Sequence, residues 1–76
     1  MAKIDSRVIN YRRCSGKYFV REHGFIEFEL GYFHTWGIDS EELDVGVLSY
    51  TVGIVELSNG KVVTVMPQNI KFIDVE

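Results

Sequence analysis

The chain has 76 residues, a net charge of −3 at pH 7, 46% hydrophobic residues and a single cysteine, Cys14. This length predicts one domain of marginal stability, which self-association would strengthen. The composition excludes intrinsic disorder, and one cysteine excludes an internal disulfide. Two histidines and one cysteine are too few for a structural zinc site without carboxylates. Residues 1–5 lack the apolar core of a signal peptide, and no run of about 18 apolar residues exists, so the sequence predicts a cytoplasmic protein without membrane contact.

The charges are unevenly distributed. Residues 1–21 contain six of the eight lysines and arginines but only one of the eleven acids. Such polarity favours either steering of a partner or ion pairing of the basic segment with the acidic remainder of the domain. We therefore divide the single domain, residues 1–76, into a basic N-terminal segment, residues 1–24, and a main body, residues 25–76.

The basic segment has two interpretations. Ser6 could cap a short helix that ends at Gly16, whereas the neighbouring β-branched residues Val8 and Ile9 favour a strand over residues 8–14. A strand there predicts an extra hairpin, with a turn at Ser15-Gly16 and a second strand over residues 17–21.

An alternating strand follows Gly24. Ile26, Phe28 and Leu30 fall on one face, and Glu27 and Glu29 on the other. We expect Gly31 to interrupt this strand before the aromatic run over residues 32–36. Residues 38–49 are rich in acids and lack apolar periodicity, which predicts a solvated acidic loop.

The sequence predicts one element most clearly, a β-hairpin over residues 50–66. It consists of two β-branched runs around Ser58-Asn59-Gly60. The turn leaves two registers open. A two-residue turn at Asn59-Gly60 places Val55 and Leu57 beside Val62 and Met66. A three-residue turn with Gly60 left-handed places them beside Val63 and Val65. In both registers the two faces are largely apolar, so we expect cover on each side, from a closing barrel or from a second molecule.

The chain ends in a short strand. Pro67 stops the hairpin, because proline cannot donate to a ladder, and residues 67–69 can form one helical turn. Ile70 and Phe72 then alternate with Lys71.

From Leu30 onward, the order is an aromatic strand, a long acidic loop, a tight hairpin and then Pro-x-x-Ile-x-Phe. This order resembles a small SH3-like barrel. The resemblance implies an all-β fold with the distal hairpin at residues 50–66 and a 3-10 turn at residues 67–69. The paired tyrosines and prolines that line a polyproline groove are missing.

The run from Gly31 to Gly37, with residues 50–56 and 70–72 behind it, is also similar to small uncharacterised proteins of bacteriophages and prophages. That resemblance implies an accessory factor that binds a phage or host macromolecule, with no catalytic residue and no cofactor.

Two groups of residues are candidates for binding a protein partner. Strand alternation places Tyr32, His34 and Trp36 on one face and Phe33 on the other, although Trp36 could equally plug the core. The second group is acidic and could mimic phosphate spacing, bind a divalent cation or form only a solvated face. It comprises Asp39, Glu41, Glu42 and Asp44.

The remaining candidates carry weaker signals. Four cations interleaved with aromatic residues could bind nucleic acid, although the acidic pI near 5.3 argues against it. They are Arg12, Arg13, Lys17 and Arg21. No nucleophile motif accompanies His23, His34 or Cys14, and we expect Cys14 to be a small, half-buried apolar side chain. The sequence thus predicts a non-catalytic protein-interaction module. The alternatives are a nucleic-acid-binding module and an acidic inhibitor of a nucleic-acid-binding protein.

Overall fold

The structure, a computed structural model, describes residues 11–74 and is all-β. Its strands are β1 (Arg12–Val20), β2 (Gly24–Leu43), β3 (Gly46–Leu57), β4 (Val62–Val65) and β5 (Ile70–Phe72), with a 3-10 turn at Pro67–Asn69. The strands form one antiparallel sheet in the order β4-β3-β2-β1-β5, which does not close into a complete barrel. The 3-10 turn is the one helical element among the described residues, so no helix there is long enough to cross a membrane.

The prediction of a turn at Ser15-Gly16 was wrong. β1 continues through both residues, pairing with β2 on one side and with β5 on the other. A Cβ at Gly16 would overlap the carbonyl oxygen of Asn69, so this glycine serves close packing against the 3-10 turn rather than chain reversal. The reversal comes at residues 21–23, where the His23 amide donates to the Val20 carbonyl at 3.0 Å. Residues 8–10, the start of the predicted strand, lie outside the described residues.

The prediction that Gly31 interrupts the strand was wrong. β2 is one continuous strand of 20 residues that runs through Gly31. The alternation before Gly31 is confirmed, with Phe28 half-buried and Glu27 and Glu29 exposed. Two register shifts each add one residue to β2, the first between Phe28 and Gly31 and the second at His34. Because bulges bend and twist a strand, the first half of β2 pairs with β1 while the second half turns to pair with β3.

The hairpin between β3 and β4 adopts the second of the two predicted registers. Val55 lies opposite Val63, and Gly53 lies opposite Val65. Gly60 has a φ of 89°, and the Leu57 amide donates to the Lys61 carbonyl at 2.7 Å. A three-residue loop therefore closes the hairpin.

A small core fills the concave face of the sheet. Cys14, Val55, Leu57 and Val65 are buried there, with half-buried aromatic side chains packed around them. The opposite face of the hairpin is covered in part, since Val52 is only 3% exposed whereas Val62 is 55% exposed. The expectation that both faces are covered is therefore met on the concave side and only partly met on the opposite side.

Candidate functional site

The predicted acidic loop is a β-hairpin. From the Ile38–Thr51 pair to a two-residue turn at Asp44-Val45, β2 and β3 pair residue by residue and extend beyond the rest of the sheet. We call residues 38–51 the arm. Every residue from 38 to 49 is exposed, so its backbone is ordered by hydrogen bonds between two strands rather than by burial.

The arm exposes an unusual number of apolar side chains. Val45 is 95% exposed, Ile38 74% and Val47 67%, while Leu43 and Leu48 are each about half exposed. Exposed apolar clusters on a small protein mark contact sites for other molecules. The sequence pattern did not indicate these residues as a site, because the acids of the same stretch predicted a charged loop.

The four acids also lie on the arm, but not on one face. Asp39 and Glu41 pair with Tyr50 and Leu48, so these four side chains share a face. Glu42 pairs with Val47 on the other face. Partial burial, reinforced by the Asp39 and Glu41 carboxylates, raises the pKa of the Tyr50 phenol. The acids are therefore interleaved with apolar groups on both faces.

The prediction that Tyr32, His34 and Trp36 share one face of the sheet was wrong for Trp36. The bulge at His34 resets the alternation, so Trp36 follows Phe33 on the concave face, and their ring centroids are 4.8 Å apart. Trp36 has 48% of its surface exposed, so it packs against Phe33 at the edge of the core and is not buried within it. It lies at the base of the arm, two pairs before Ile38 and on the same face.

Tyr32 and His34 remain together on the convex face. Tyr32 lies opposite Glu56, and His34 Nε2 is 3.0 Å from Glu56 Oε1. The Tyr11 ring stacks on His34 with a centroid separation of 4.0 Å. These two contacts hold the His34 ring in place between Tyr11 and Glu56, close to the base of the arm.

The basic residues are partly engaged within the domain. Arg12 Nη2 lies 3.2 Å from Asp74 Oδ1, and its guanidinium carbon lies 3.7 Å from the centroid of the Phe72 ring. Hydrogen bonding from Arg12 lowers the pKa of the Asp74 carboxyl. Ion pairing of the basic segment with the domain's own carboxylates is therefore observed for Arg12.

The other three cations are exposed. Lys17 lies opposite Glu27 and over the Phe25 ring at 4.9 Å, while Arg13 lies opposite Tyr32. Arg21 lies in the turn after β1.

An aromatic groove that the sequence did not predict lies beside the base of the arm. It has a volume of about 190 Å³, and Tyr18, Phe25, Tyr50 and Met66 are among its lining residues. Phe19 packs edge-on against Phe25 at 5.5 Å, and both remain more than half exposed. The aromatic residues on either side of the turn at residues 21–23 were the sequence feature from which this groove could have been predicted.

Reactive side chains of the described residues are not brought together. Cys14 is fully buried, more deeply than expected, and burial raises the pKa of its thiol. His23 lies exposed in the turn after β1. Among residues 11–74, no three His, Cys, Asp or Glu side chains converge in a way that could hold a metal ion.

Comparisons with known proteins add no further assignment to this geometry. No protein family, no curated protein and no solved structure gives a significant match to this chain.

Proposed function

We propose that this chain is a non-catalytic protein-interaction module that contacts its partner through the arm, with Trp36 at the base. The observation that carries the proposal is the exposure of five large apolar side chains along one hairpin. An isolated two-stranded hairpin is marginal in water, so contact with a partner would stabilise the arm as well as cover it.

The chemistry of the arm favours a partner with an apolar cleft bordered by cations. Apolar anchors such as Trp36 and Ile38 would supply affinity, since a few desolvated side chains carry most of the binding energy of an interface. Asp39, Glu41 and Glu42 would lie at the rim, where charge complementarity raises the association rate and excludes wrong partners.

We further propose an SH3-like barrel as the architecture. The three-residue turn at residues 58–60 and the 3-10 turn at Pro67–Asn69 support this proposal, since both lie where the resemblance implied them. Where the resemblance implied a long loop, the chain forms the paired strands of the arm. Origin in a phage or prophage stays a prediction, which the neighbouring genes would test.

The test compares captured proteins across matched variants. Immobilised wild-type protein is incubated with a bacterial lysate, and bound proteins are quantified by mass spectrometry. Trp36→Ala and the double variant Glu41→Ala/Glu42→Ala should each weaken capture of the same partner, with about a 30-fold affinity loss for Trp36→Ala. The control is Val62→Ser, an exposed apolar residue on β4 that should leave capture unchanged.

Equal capture by wild type, Trp36→Ala and Glu41→Ala/Glu42→Ala would overturn the proposal, as would no specific capture. Oligonucleotide binding at low salt that Arg13→Ala and Arg21→Ala weaken would instead favour the nucleic-acid alternative, because phosphate contacts lose affinity steeply as salt rises.

A further inference from the structure

The two long edges of the arm have no strand beside them in the part of the chain that the structure describes. β4 pairs with β3 only over residues 53–56, so residues 46–52 have a partner only in β2. On the other side, the pairing of β1 with β2 extends only to Phe33 among the residues that the structure describes. Among residues 11–74, the arm is therefore a ribbon with no further strand along either long edge.

The ladder determines which backbone groups of β3 point outward. The Leu57 amide donates to the Lys61 carbonyl, so Leu57 directs its backbone polar groups toward β4. β3 has no bulge, and these groups alternate in direction along an antiparallel strand. Val47, Ser49 and Thr51 therefore direct their amides and carbonyls to the open edge, while Leu48 and Tyr50 bond to β2.

The other edge is protected against pairing. Asp39, Glu41 and Glu42 lie on β2, and charged side chains are a common device that prevents edge-to-edge association. The outward amide of Ser40 is already engaged, since it donates to Asp39 Oδ1 at 2.8 Å. Residues 46–52 of β3 contain no charged residue and no proline, so their edge has neither protection.

We infer that a second copy of this chain pairs with the β3 edge of the arm, antiparallel and centred on residues 47–51. The two arms then form one four-stranded sheet about a two-fold axis. The Val47 side chains of both copies join Ile38 and Trp36 on one face, which covers part of the exposed apolar surface. Main-chain hydrogen bonds supply the affinity, as in other complexes formed by strand addition.

The charge distribution selects this pairing over pairing through the acidic strands. Two β2 strands would lie about 5 Å apart if they paired directly, which opposes like charges across the interface. Pairing through β3 separates the acidic strands by three strand spacings, about 14 Å, which exceeds the Debye length of about 8 Å at physiological salt. Two chains that each carry a net charge of −3 can therefore associate through this edge.

The first test is the mass in solution by sedimentation, over roughly 1 µM to 1 mM protein. Wild type should rise from the monomer mass of 8.7 kDa to twice that value. Ser49→Pro should remain monomeric, because it removes an outward amide and leaves the β2–β3 ladder intact. Ser40→Pro, the same change on the protected edge, should still dimerise.

Hydrogen exchange of the wild type tests the same inference without a variant. The amides of Val47, Ser49 and Thr51 should gain protection as the concentration rises, whereas those of Leu48 and Tyr50 should be protected throughout. A monomer at every concentration with freely exchanging Val47, Ser49 and Thr51 amides would overturn the inference. So would a dimer that survives Ser49→Pro. The inference does not rest on the proposed function, and its failure would leave that proposal standing.

Discussion

The arm and the rest of the sheet, which we call the body, are made from the same two strands but are held in different ways. In the body, β2 and β3 have further strands beside them and a shared core at Val55. In the arm, they have only each other within the part of the chain that the structure describes. The difference shows that strand pairing alone extends a hairpin away from a small domain, whereas burial requires a third strand and a curved sheet.

The largest expected effect contrasts one substitution in the two regions. Val55→Ala should lower the free energy of unfolding by about 2–3 kcal/mol, because Val55 is fully buried and its lost methyl groups leave a cavity. Val47→Ala, at a position that is 67% exposed, should change it by less than about 0.5 kcal/mol. Urea denaturation at low protein concentration measures both. Similar losses for the two variants would mean that the arm is buried in the monomer.

A second contrast uses two glycines of β2. A Cβ at Gly31 would lie 2.6 Å from Val55 Cγ1 and 2.9 Å from Phe28 Cε2, so Gly31→Ala should cost about 1–3 kcal/mol of stability through overpacking. A Cβ at Gly37, next to the arm, would meet only the flexible end of Ile54, at 3.3 Å. Gly37→Ala should therefore cost less than about 1 kcal/mol. Thermal unfolding of both variants measures the difference, and a larger loss for Gly37→Ala would contradict it.

Much of the body could be predicted from the sequence, because its turns are specified by residues next to them in the chain. Asn59-Gly60 between β-branched runs predicted the distal hairpin, and Pro67 predicted the 3-10 turn. The choice between the two registers could not be predicted, since both placed apolar residues on the face that contains Val55. Gly60 accepts the positive φ that the three-residue loop requires.

The errors share a physical cause, which is that glycines and charges act through tertiary context. Gly16 and Gly31 read as breaks, yet both lie inside strands where neighbours leave no space for a side chain. The acids of residues 38–49 read as a loop, yet charged residues suit an exposed edge strand equally well. The bulge at His34 has no local sequence signal, so the face of Trp36 could not be predicted.

The smallest expected effect compares one ionisable group in each region under alkaline conditions. Burial raises the pKa of the Cys14 thiol in the body, and partial burial with Asp39 and Glu41 raises the pKa of the Tyr50 phenol in the arm. Below its ordinary pKa, each group is neutral in both the folded and the unfolded chain. Above that value, the unfolded chain ionises first, so the stability that the neutral group provides is lost as pH rises.

The two groups should act over different pH ranges. The ordinary pKa of a thiol is about 8.5 and that of a phenol about 10, so Cys14→Ala should remove a decline that begins near the lower value. That decline should not exceed about 1.4 kcal/mol per pH unit. Tyr50→Phe should remove only a weaker decline at higher pH, because the arm leaves the phenol close to solvent. Urea midpoints measured from pH 7 to 10.5 test this order, and an earlier or steeper loss from Tyr50 would place the arm, rather than the body, in the less polar surroundings.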